Sequence, residues 1–251
     1  MAGHSKWANI KHRKGAQDKK RAKVFTKLIR ELTVAAKMGG DDPGSNPRLR
    51  AAIQAANSAN LPKNTMEKAI ARGAKNDESS NLFEIVYEGY APSGVAVMVE
   101  CLTDNKNRTV AEVRHAFSKM GGNLGTDGSV SYLFTKQGQI IFNNSIKEDD
   151  LMDRAIESGA EDIFTNPDGQ VVVLSSFEDY YGLLSSFEDL SDKIISNQII
   201  MSASTSVELD VDMAQKVLNL IDFIEDLDDV QNVHTNADVS DEVLGQLNQQ
   251  S

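Results

Sequence analysis

The sequence is poor in cysteine, proline and aromatic residues: 251 residues carry one Cys, five Pro and one Trp, and Phe, Trp and Tyr together make up 6%. A single thiol, Cys101, cannot close an intramolecular disulfide, and its setting in an apolar run reads as a small buried hydrophobe rather than a nucleophile. Long apolar stretches are also missing. The longest, Val95-Ala96-Val97-Met98-Val99, has five residues, far below the roughly 20 that a membrane-spanning helix needs, so no membrane partner is expected. Neither a secretory apolar stretch nor an Arg-rich, Ser-rich transit stretch follows Met1, and the expected location is the cytoplasm. No phosphate-loop lysine, Gly-x-Ser-x-Gly or His-Glu-x-x-His occurs. His4 and His12 have no Cys or acidic companions at ligand spacing. The expectation is a non-enzymatic protein without catalytic residues, metal or cofactor. What is present, 40% apolar and 25% charged residues, is ordinary for a folded globular chain.

The net charge of −11 hides two unlike parts. Residues 1–75 hold 17 Lys and Arg against 5 Asp and Glu, net +12, and the remaining 176 hold 9 against 32, net −23. A basic end on an acidic body orients a molecule toward a polyanion while the body is repelled from it. Nucleic acid, DNA or ribosomal and transfer RNA, is therefore the expected partner.

Three helices are expected at the basic end. Phe25, Leu28, Ile29 and Leu32 fall at helical spacing over about 18–38, ahead of Gly39-Gly40, with Lys19, Lys20, Lys23, Lys27 and Arg30 on the opposite side of the wheel. Asn46 as N-cap and Pro47 at the first helical position open a second helix, which carries Arg48 and Arg50 and ends before Pro62. A third runs from Asn64, paired with Glu67 as a capping box, to near Gly73. Ahead of them lies a basic arm with Lys6, Trp7, Lys11, His12, Arg13 and Lys14. Trp7 either stacks on a base or packs against the helices. These arm residues and the basic positions on the helices are the expected nucleic-acid contacts, with Arg108 as a secondary one.

After a polar linker at 74–81 the period changes to two. Strands at 83–90 and 95–102 form an expected hairpin, followed by a helix with Thr109 and Glu112 as capping box, and a strand at 129–134. The Gly121–Gly128 stretch joins helix to strand, the reverse of a phosphate-binding loop, and reads as a flexible connection with positive-φ glycines. From 137 to about 205 the order is strand (139–142), helix (148–158), strand (161–165), strand (170–174), helix (177–190), strand (194–202), the ferredoxin-like βαββαβ pattern. A strand at 206–209, a helix at 211–225 and a strand at 230–234 complete the flanking domain, and Asp226, Asp228 and Asp229 read as a solvated acidic rim. The expected fold is a multidomain α+β protein. A basic helical domain with its arm (1–75) precedes a central α+β domain (82–135 plus 205–240) into which a ferredoxin-like α+β domain (137–203) is inserted. A polar C-terminal tail (241–251) follows.

Several motifs occur in order: residues 2–14, Asn46-Pro47-Arg48-Leu49-Arg50, Leu61-Pro62-Lys63-Asn64, Tyr87-Glu88-Gly89-Tyr90, Leu102-Thr103-Asp104-Asn105 with Asn107-Arg108-Thr109, and Gly121-Gly122-Asn123-Leu124-Gly125. In these the sequence closely resembles the YebC family along almost its whole length. The resemblance implies the three-domain arrangement and a role in gene expression. Bacterial relatives are commonly described as DNA-binding transcriptional regulators. Mitochondrial relatives and some bacterial ones are linked to translation, including relief of ribosomes stalled at proline runs. The expected function is a DNA-binding transcriptional regulator, with a ribosome-associated translation factor as the alternative.

Overall fold

A computed structural model describes residues 17–75 and 82–249, and the basic arm lies outside the described residues. Residues 17–75 form three helices, α1 (Gln17–Gly39), α2 (Pro47–Ser58) and α3 (Lys63–Ala74). Their shared core is Leu32, Ala35, Ala36, Leu49, Ala56, Leu61 and Ala69, flanked by Phe25, Leu28 and Ile29. Small residues at the crossings let short helices approach closely. Asn46 joins α1 to α2: its Oδ1 accepts from Leu49 N at 3.0 Å, while its Nδ2 donates to the Ala35 and Gly40 carbonyls, both at 2.8 Å. It caps one helix at each end. The cap expected at Asn64 is not used. Pro62 is the N-cap residue of α3, whose first turn has no side-chain cap hydrogen bond, and Glu67 pairs with Lys63 at 3.9 Å. The helix ends at Ala74, next to Gly73, as expected, though Gly73 is itself no cap. It is buried inside α3, where a Cβ would collide with the Thr33 carbonyl and lie 2.9 Å from Ala36 Cβ.

The central layer is an antiparallel sheet of order β3-β1-β2-β9. The hairpin of β1 (Phe83–Tyr90) and β2 (Ala96–Thr103) is paired in register from Phe83↔Thr103 to Tyr90↔Ala96. Alternate residues of β2, Val97, Val99 and Cys101, join Val113, Ala116 and Phe117 of α4 (Lys106–Lys119) in one core. Val217, Leu220, Ile221 and Ile224 of α7 (Val211–Glu225) belong to the same core. Short β3 (Asn123–Leu124) borders β1, and β9 (Val230–Thr235) borders β2.

Between Ser131 and Val207 the chain builds a separate compact unit, Tyr132–Ser206. Its elements are β4 (Phe134–Phe142), α5 (Glu148–Glu157), β5 (Ala160–Thr165), β6 (Val171–Ser176), α6 (Tyr180–Ser186) and β7 (Ile194–Ala203). The sheet order β5-β6-β4-β7, with every neighbour antiparallel, is the ferredoxin-like topology. Its core contains Ile140, Phe142, Leu151, Val171, Val173, Leu183 and Phe187. The fold is thus multidomain α+β with an inserted ferredoxin-like unit.

Three local expectations change. The strands expected at 129–134 and 139–142 are replaced by one strand, β4; residues 131–133 form a 3-10 turn. Lys136-Gln137-Gly138-Gln139 hid its continuity, yet a strand hydrogen-bonded on both sides tolerates polar side chains. The helix expected at 177–190 shortens to α6 followed by a 3-10 stretch, Glu188–Lys193. Residues 241–249, expected within a polar tail, form α8 (Asp241–Gln249) after the small β8 (Val207–Glu208)/β10 (Ala237–Asp238) pair. Leu247 of α8 is buried in the central core, with Val243 and Leu244 packed against it. A stripe that narrow was masked by surrounding Gln and Asn.

Candidate nucleic-acid interface

The cationic face of α1 is the first place to look, and the fold has already put carboxylates and carbonyls against it. Lys23 Nζ donates to the Asp226 carbonyl at 2.8 Å and pairs with its Oδ1 at 2.9 Å. Lys27 Nζ donates to the Glu225 carbonyl at 3.3 Å. Arg30 donates to the carbonyls of Leu102 and Asp228 and lies 3.1 Å from Asp229 Oδ1. Glu225 ends α7 and Asp226 is its C-cap, so Lys23 and Lys27 meet the carbonyl-rich, partly negative end of a helix dipole. Lys23, Lys27 and Arg30, expected as nucleic-acid contacts, are thus engaged by carbonyls and carboxylates of the central domain. A helical wheel shows what lies opposite a helix's own core, not which other element docks there.

Asp229 anchors this seam and is the exception to the expected solvated rim. It is 1% exposed; its Oδ2 accepts from Thr103 Oγ1 at 2.9 Å, Thr109 Oγ1 at 2.7 Å and Arg108 Nη2 at 2.7 Å. Burial works against its charge, but those hydrogen bonds and the Arg30 charge outweigh it and lower the pKa below the ordinary carboxylate value. Arg108, expected as a secondary contact, is held between Asp229 and Asp104 and its pKa is raised accordingly. The helix start shifts for the same reason. Asn105 caps α4 by accepting from Arg108 N at 3.1 Å, whereas Thr109, expected as the cap, is buried against Asp229.

The glycine-rich stretch is likewise spoken for. The Glu88 carboxylate, 6% exposed, accepts from Gly128 N at 2.8 Å and from Val130 N and Ser131 N, both at 2.7 Å. Burial opposes its charge, yet these amides draw its pKa below the usual value. Amides that could cradle a phosphate are thus used on an internal carboxylate. Gly121 and Gly128 do have positive φ, 78° and 82°, but the connection is tied to β1 rather than loose. The Cys101 thiol is buried and pushed up to about 12, which leaves it protonated and inert at neutral pH. Among the described residues no group of His, Cys, Asp or Glu is arranged to hold a metal, and no helix is long and apolar enough to cross a membrane.

Of the remaining expected contacts, Lys6, Trp7, Lys11, His12, Arg13 and Lys14 lie outside the described residues, and so do the side chains of Lys19 and Lys20, whose backbone is helical in α1. Arg48 grips Glu31 through two nitrogens at 2.6 and 3.0 Å and also pairs with Glu84 of β1, a second tie between helices and sheet. Its pKa is raised by these partners. Arg50 is exposed. The sequence reading passed over Lys68, Arg72 and Lys75. They stand exposed on α3 and at its C-cap, and with Ala71 they line a groove of about 280 Å³. Their i, i+4, i+7 spacing was visible in the sequence.

Domain order and sheet topology define a multidomain α+β protein with an inserted ferredoxin-like unit. The chain matches the TACO1/YebC protein N-terminal domain over residues 5–76 and the TACO1/YebC second and third domain over residues 82–237, and it belongs to that family. It is 58% identical over 247 residues to a "Probable transcriptional regulatory protein" of Pseudomonas putida, covering 98% of this chain and all of the relative. It is 56% identical, with the same coverage, to the "Transcriptional regulatory protein PmpR" of Pseudomonas aeruginosa. Among solved structures it resembles the conserved hypothetical protein Aq1575 of Aquifex aeolicus, with a TM-score of 0.80 and 45% identity over 95% of this chain and 98% of that one.

Proposed function

We propose that this protein is a non-enzymatic, cytoplasmic, DNA-binding regulator of transcription that contacts the nucleic-acid backbone through its basic N-terminal residues 1–75. The observation that carries the reading is full-length similarity to proteins named as transcriptional regulators. It is joined to a charge split of +12 against −23 between those residues and the rest. Binding is expected to be dominated by phosphate contacts and steeply salt-dependent. The domain division expected from sequence serves this reading: the helices and arm touch the polyanion while the acidic central and inserted domains face protein or solvent.

A ribosome-associated translation factor is the second reading. It is favoured by one observation: Lys68, Arg72 and Lys75 stand exposed on one side of α3 and at its C-cap, a charged stripe suited to backbone contact. Contact by charge and shape suits folded RNA as well as duplex DNA. In-cell UV crosslinking followed by sequencing of both DNA and RNA separates the two, with a chain lacking residues 1–14 as control. Discrete promoter DNA, lost in the control, supports the regulator. Recovery of ribosomal or transfer RNA alone overturns it in favour of the translation factor.

A further inference from the structure

Resting on the nucleic-acid reading, we infer that the phosphate-contacting surface of the helical domain is the α3 stripe Lys68, Arg72 and Lys75, and not the α1 face carrying Lys23, Lys27 and Arg30. The two surfaces belong to one small domain and differ in what neutralises them. On α1 the cations are engaged by the end of α7 and by Asp229. Binding a phosphate there would require breaking those bonds and, at Arg30, taking away one of the charge partners of the buried Asp229. On α3 the three side chains are exposed and make no ion pair with any described residue. The one acid on that helix, Glu67, is turned to Lys63.

Geometry supports the same assignment. On a wheel of about 100° per residue Lys68, Arg72 and Lys75 fall within about 60° of one another, opposite the buried Met66, Ala69 and Gly73 that fix the helix against α1. Lys68 to Lys75 spans about 10 Å at 1.5 Å per residue, enough to face about three phosphates of one strand at 3.4 Å of axis each. Ala71, at the edge of the stripe, lines with the three cations a groove of about 280 Å³ that a phosphodiester oxygen can enter. The ligand class is a phosphodiester backbone, whether from duplex DNA or from RNA.

The test measures binding of the full-length protein to fluorescent 20-base-pair DNA and RNA duplexes by anisotropy across a range of NaCl. Three variants are compared with the parent: Lys68→Ala/Arg72→Ala/Lys75→Ala, Lys23→Ala/Lys27→Ala, and the chain lacking residues 1–14. Alanine is a good helix former, so thermal melts should show the stripe variant folded. For the stripe variant the magnitude of the log Kd against log salt slope should fall by about 2.7 on duplex DNA, and affinity at 0.1 M salt by on the order of 10²-fold. The Lys23/Lys27 variant should keep the parental slope. Loss on DNA, on RNA or on both supports the stripe and names the backbone it reads. An unchanged slope in the stripe variant, while removal of residues 1–14 weakens binding, overturns the assignment and leaves the nucleic-acid reading standing. Failure of the parent to bind either duplex at low salt overturns both.

Discussion

The α1 and α3 faces of the helical domain have the same residue chemistry and opposite environments. On α1, Lys23, Lys27 and Arg30 are engaged by a helix end and a buried carboxylate; on α3, Lys68, Arg72 and Lys75 face solvent. The difference teaches that a run of basic residues is not in itself a binding surface. Charge can be used within the molecule to hold one domain to the next. Among the described residues, the helical and central hydrophobic clusters share no member, and the bridges named between them are polar: Lys23–Asp226, Arg30–Asp229 and Arg48–Glu84. Apolar burial builds each core, and oriented charge aligns them.

The strongest way to break this comparison is Asp229→Ala. Removing one member of a buried charged cluster leaves Arg30, Arg108, Thr103 and Thr109 without their common acceptor, and typical costs are about 3–5 kcal/mol. Urea unfolding should show that loss, whereas Asp226→Ala, at an exposed carboxylate, should cost less than about 1 kcal/mol. Equal effects would mean that Asp229 does not anchor the seam. The pH dependence sharpens the point. Because the folded pKa of Asp229 is lowered, its contribution is present above the unfolded value, about 3.9, and is lost as pH falls through the lower folded value. Glu88 acts with the same sign. Melting temperature should therefore decline below about pH 4, and less steeply in Asp229→Asn.

Next in size is Gly73→Ala, which tests what positions the open face. The added methyl meets the Thr33 carbonyl and Ala36, so α3 must shift away from α1 at a cost of about 1–3 kcal/mol. A melting temperature unchanged by this substitution would show that the crossing has slack.

How much of this was legible in the sequence depended on the range of the determining contact. The β1–β2 hairpin, the helix at 211–225 and the ferredoxin-like order followed from local periodicity and turn residues, and the structure has them. Asn46-Pro47 announced α2 because a cap is a local device. Asp229 could not be separated from Asp226 and Asp228 in the same way, since its hydrogen-bond donors lie more than 100 positions away on β2 and α4. The Glu88 carboxylate was hidden for the same reason, its three amide partners being 40 or more residues downstream. Thr109 looked like a cap because Thr with Glu112 fits the pattern, but burial decided its role. The α3 stripe was legible and overlooked, outweighed by the denser charge of α1.

The smallest expected effect is on Lys23→Ala, and it completes the comparison. Lys23 and Asp226 side chains are 38% and 74% exposed, so solvent and salt screen the pair and its loss should change stability by no more than about 1 kcal/mol. The exposed α3 substitutions should likewise stay within about 0.5 kcal/mol. The two faces are thus expected to look alike in a thermal melt and unlike in a polyanion titration. If Lys23→Ala instead lowered affinity for a DNA duplex, the Lys23 ammonium would be a phosphate contact in spite of its bonds to the α7 end. If it left affinity unchanged, the α1 cations serve the seam alone, because an ammonium already held by a helix-end carbonyl and a carboxylate gains little by exchanging them for a phosphate.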